Sequence, residues 1–164
     1  MITATTDELL TYLADLIETV ERFGAVVLPP HDADDVDWAR QGDDLILDLA
    51  TRLPAAPRAH SVDLVLQERW GPTVGGRWVL AEYGYEVRHH GLDYRRALHR
   101  HDVDYFVRVF GVATHEHCET SLGHGTCGHY AGEPVRGAID GFRRLYEVWL
   151  TGSKPDCSRL RCLG

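Results

Sequence analysis

The sequence predicts an α+β fold: two N-terminal helices, a four-stranded mostly antiparallel sheet and a C-terminal helix over one face. Three observations predict it. Apolar residues recur at helical intervals over the first 53 positions, the pattern changes to alternation from Val62, and helical spacing returns after Pro134. With 164 residues the chain has room for one domain, taken as residues 1–152, followed by a polar C-terminal tail at 153–164.

The first helix is announced by Thr5 and Glu8 at capping-box spacing, just ahead of Leu9, Leu13, Leu16, Ile17, Val20 and Phe23. Gly24 ends it, and Ala25 to Leu28 forms a short extended piece stopped by Pro29-Pro30. A second helix is expected behind the acidic run Asp32 to Asp37, carrying Val36, Ala39, Ile46, Leu49 and Leu53 on one side, with Gly42 as its weak point. Val62, Leu64 and Leu66 then alternate into a strand, a Gly/Pro-rich turn follows at 71–76, and Arg77 to Arg88 returns as its hairpin partner. Tyr94 to His101 is a third strand and Val112 to Glu119 a fourth. A short helix around Val103, Phe106, Val107 and Phe110, capped by Asp102, lies between them. Pro134 sits near the start of a closing helix with Ile139, Phe142, Leu145, Tyr146 and Trp149 inward. The core is expected at Leu64, Leu66, Tyr83, Tyr85, Phe106, Phe142 and Trp149.

Charge narrows the function classes. The net charge is −8, and residues 1–70 carry 14 acidic against 5 basic side chains, so the surplus lies in the first half. Such a surface repels phosphate backbones and disfavours duplex DNA as a partner. No run of about 18 apolar residues is present to span a bilayer. The opening MITATTDELL has no basic region followed by an apolar block, so a cytoplasmic protein is expected. In such a reducing compartment, clustered cysteines and histidines point to metal rather than to disulfides.

Eight of the ten histidines fall between residues 89 and 129. On strands, alternate side chains share a face, so His99 pairs in direction with His101, and His115 with His117. If the third and fourth strands are neighbours, these four imidazoles meet and can hold a metal, zinc foremost, with iron or copper as alternatives. Glu116 and Glu119 lie in the same segment as candidate general bases. A second set competes: Cys118, His124, Cys127 and His129 can close a structural zinc site around a glycine-rich turn. His117-Cys118-Glu119 is also a literal H-x-E, the zinc-deaminase signature, but Pro155, Cys157 and Cys162 fail the spacing of its second half. The tail pair Cys157 and Cys162 is assigned no role.

Between Arg88 and His101 four arginines stand against one aspartate, and Arg95, Arg96 and Arg100 are the candidate phosphate-binding residues. A hairpin carrying Tyr83-Gly84-Tyr85, then Arg95-Arg96, His99-x-His101 and His115-x-His117, resembles the strand core of the TumE-type toxins of bacterial toxin-antitoxin systems over residues 77–119. That resemblance implies an RNA-directed or translation-inhibiting toxin neutralised by a protein partner, its antitoxin. The functional expectation is a metal-binding small enzyme, a hydrolase or ribonuclease, or a toxin-like protein, acting on RNA or another phosphorylated substrate such as a small molecule through a histidine-rich sheet face. The alternative is a non-catalytic interaction protein with the Cys/His zinc site.

Overall fold

The computed structural model describes residues 2–29, 36–56, 59–89, 94–101, 107–109, 111–119, 130–150 and 163. In chain order the elements are β1 (Thr3–Ala4), α1 (Thr6–Arg22), β2 (Val26–Val27), β3 (Ala39–Gln41), β4 (Asp44–Leu53), β5 (Val62–Pro72), β6 (Trp78–His89), β7 (Tyr94–Arg100), β8 (Thr114–Glu119), β9 (Tyr130–Ala131) and α2 (Ala138–Leu150). The strands form one nine-stranded sheet in the order β2-β4-β5-β6-β7-β8-β9, with β1 added to β6 and β3 to β4, every pair antiparallel.

The predicted architecture is corrected at its N-terminal half: one helix, not two, precedes the main sheet, and the sheet is larger than four strands. Where a second helix was expected, the chain makes the hairpin β3–β4, with Gln41 opposite Asp44 and a two-residue Gly42-Asp43 loop. Gly42 adopts φ 63°, the left-handed conformation such a loop requires. The physical reason is the period. Leu45, Leu47, Leu49, Thr51 and Leu53 are buried, whereas Ile46, which helical spacing grouped with Leu49 and Leu53, points to the other face. Asp32 to Asp35 lie outside the described residues.

The remaining elements follow the predicted order. Thr5 and Glu8 make a full capping box on α1. The predicted hairpin is β5–β6, the predicted third and fourth strands are β7 and β8, and a short helical stretch at 107–109 lies between them. Of the expected core, all but Phe106, which lies outside the described residues, are buried. Ile139 and Tyr146 are partly buried at the core's margin.

Both helices cover one face of the sheet, so the molecule has two layers with a single core between them. Leu9, Leu13, Leu16 and Val20 of α1, and Ala138, Phe142, Leu145 and Trp149 of α2, pack with the inward residues of β4, β5 and β6. At the centre sits a buried carboxylate. Glu68 accepts hydrogen bonds from Tyr12 (2.6 Å), Tyr85 (2.6 Å), the Trp70 indole (2.8 Å) and the Ala138 backbone N–H (2.8 Å) at the start of α2. Four donors and a helix N-terminus favour its charged form. Burial outweighs them and raises its pKa. Glycine is required nearby for close approach: a Cβ at Gly141 would lie 2.3 Å from the Tyr85 ring.

Candidate metal centre

The sheet's other face is polar, and its chemistry concentrates on β7 and β8. These strands pair with His99 opposite His115, Ala97 opposite His117 and Arg95 opposite Glu119. The ladder extends one residue further, His101 N–H donating to the Ala113 carbonyl at 3.3 Å. Alternation does the rest. His99 and His101 project from one strand and His115 and His117 from its neighbour, all to the face away from the helices.

The ligand nitrogens of His99, His101 and His115 all lie within 4.8 Å of one another. The His99 ring centroid is 5.4 Å from that of His101, 5.3 Å from His115 and 4.8 Å from His117. The Nε2 atoms of His115 and His117 are 3.3 Å apart. Zn–N bonds of about 2.0–2.1 Å put tetrahedral ligand nitrogens about 3.4 Å apart, so the three would draw closer to share one ion. Burial, then the crowding of His117, His115 and His101, holds the His99 pKa down at about 3. His99 is therefore neutral at neutral pH, the state in which imidazole binds a metal. Three imidazoles this close together, His99 among them neutral, could hold a metal ion.

A line of charge leads away from this cluster. The Nδ1 of His117 lies 3.6 Å from Glu119, which is bound by Arg95 at 3.0 Å; Arg95 also binds Glu86 at 2.6 Å, and Glu86 binds Arg88 at 2.7 Å. Burial pushes the Glu86 carboxyl up, but Arg95 and Arg88 outweigh it and leave the pKa lowered.

The candidate residues thus separate by face. Glu119 stands with the histidines. Glu116 points to the opposite face, is buried there and pairs with Arg96. Arg95 belongs to the histidine face, whereas Arg96 and Arg100 alternate with it and point away, so the three arginines do not converge on one anion. Cys118 is buried on the face of Glu116 and is disulfide-bonded, its partner lying outside the described residues. While that bond is intact Cys118 offers no thiolate to a metal. His124, Cys127, His129, Cys157 and Cys162 lie outside the described residues.

Sequence reasoning missed the groove beside the cluster. A depression of 310 Å³ runs across the polar face, with His99 and His101 at one end and Asp48, Gln67, Arg69 and Glu82 along it. Gly84, opposite His99, supplies a floor without a side chain: a Cβ there would lie 3.6 Å from the His99 ring. A β-bulge between Arg69 and Trp70 shifts the β5–β6 register at the far end. The signal was present in the polar outward positions of β4, β5 and β6. It could be used only once the strand order was known. Compared with known proteins, the chain matches no family model, no curated protein and no solved structure.

Proposed function

We propose that the protein is a metal-dependent hydrolytic enzyme whose metal, zinc in the first instance, is held by His99, His101 and His115. One observation carries the reading: three convergent histidines stand at the end of a groove large enough for a small molecule, and two of them line it. A metal held by three imidazoles keeps a coordination position for water or substrate and supplies Lewis acidity. His99 and His101 also line the groove, so a metal held by them would supply that acidity to a molecule bound there. His117, next to His115 and with its Nδ1 3.6 Å from Glu119, is the group placed to move a proton, and Arg95 fixes Glu119. The proton-moving role expected of a glutamate falls to His117, with Glu119 beside it; Glu116 is held by Arg96 on the other face.

The test is elemental analysis of untagged protein. About one equivalent of metal is expected, falling to background in His99→Ala and His101→Ala variants that keep their fold. Less than roughly a tenth of an equivalent in the parent chain after incubation with zinc would overturn the reading.

A further inference from the structure

We infer that the groove beside the histidine cluster admits a small cationic substrate, one carrying a protonated amine, amidine or guanidinium group, in preference to a phosphorylated one. This deepens the metal-enzyme reading and rests on it for the reaction, but the choice of ligand comes from separate residues.

Those residues set the sign of the field. Arg69 is the one guanidinium lining the groove among the described residues, and its charge is already engaged. Its guanidinium lies 2.9 Å from Asp44 and 3.1 Å from Glu82, with a further hydrogen bond from Nε to Glu82 at 3.2 Å. Two carboxylates share that one guanidinium, so it offers no unshared charge to an anion, and Asp48 on the neighbouring strand adds a carboxylate to the lining. Asp48 is exposed and takes a single long hydrogen bond of 3.3 Å from Gln67 among the described residues. That bond uses the amide N–H of Gln67 and leaves its carbonyl oxygen as an acceptor. A ligand entering the groove therefore meets acceptors and negative charge. Away from the histidine end, at Asp48 and Gln67, a cation with N–H donors satisfies both; a phosphate there meets repulsion and finds no guanidinium that is not already shared. The remaining lining suits a compact apolar body behind the charged head: Ile46 forms a wall and Gly84 the floor toward His99.

Titration calorimetry with benzamidine and phenyl phosphate, an aromatic cation and an aromatic dianion of similar size, tests this on the full-length chain. The chain is freed of metal beforehand so that a metal cannot attract the phosphate. Benzamidine is expected to bind about tenfold more tightly than phenyl phosphate, and to weaken with added salt and in Asp48→Asn. Asp48 is exposed, so this variant should keep the parent melting temperature and metal content. Phenyl phosphate binding as tightly as benzamidine, no benzamidine binding at all, or benzamidine binding indifferent to both salt and Asp48→Asn would overturn the inference. The metal reading is judged separately by metal content: a chain that prefers benzamidine yet takes up no zinc would sink that reading and leave this one standing.

Discussion

Protonating His99 would put a positive charge in a mostly buried position among three other imidazoles and near Arg95, and its pKa is depressed accordingly, from 6.5 to about 3. The consequence for stability has a definite sign. Between these two values the unfolded chain binds a proton at this position and the folded chain does not, so folding is penalised as the pH falls. The metal-free protein should hold its full share of this stability above about pH 6.5 and lose it progressively toward pH 3. Denaturant midpoints measured across that range should show a shallower slope in His99→Gln than in the parent chain. An identical slope in both would show that His99 does not titrate as its surroundings require. Bound metal should steepen the acid loss in the parent, because protons then compete with the metal for the same nitrogens.

At the scale of one strand, β8 divides its side chains between two kinds of work. His115 and His117 face the groove side, while Glu116 and Cys118 face the other, so neighbouring substitutions should have different effects. His115→Gln should abolish metal binding. Glu116→Gln should retain the metal and cost about 1–3 kcal/mol of stability in denaturant titration, since it strips the carboxylate from a partly buried Arg96. Loss of metal in both variants would mean that the strand does not present two faces. This division was legible in the sequence, because a period of two assigns faces without any knowledge of neighbours. The pairing of His99 with His115 was legible only as a condition on strand order. The second-helix expectation failed for a related reason: Ile46, Leu49 and Leu53 satisfy helical spacing, and Leu45, Leu47, Leu49 and Leu53 satisfy alternation equally well. The Gly42-Asp43 turn decides between them. The groove was illegible because Asp48, Gln67, Arg69 and Glu82 come from three different strands and acquire meaning only side by side. The arginine patch misled because proximity in sequence on a strand sends adjacent residues to opposite faces.

Across the whole molecule the layers divide the labour: the helix-covered face carries the core, and the open face carries the histidines and the groove. No helix among the described residues is long and apolar enough to cross a membrane. The layers are joined at Glu68, which ties β5 to Tyr12, 56 residues before it, and to Ala138, 70 residues after it. Tyr12 in turn accepts from the Ala138 N–H, a separation of 126 residues. These bonds can close only when the first helix, the central strands and the last helix have all arrived, so they should be absent from the rate-limiting encounter in folding. Interactions that form after the transition state govern how fast a protein comes apart rather than how fast it assembles. In stopped-flow chevron measurements Glu68→Ala should therefore leave the refolding limb nearly in place and raise the unfolding rate by about 10²-fold or more, as expected for some 3 kcal/mol of lost buried hydrogen bonding. A variant that instead slowed refolding by that factor would place the clasp in the folding nucleus. If it forms late, Glu68 sets the lifetime of the folded state, and with it how long the open face keeps its histidines in register.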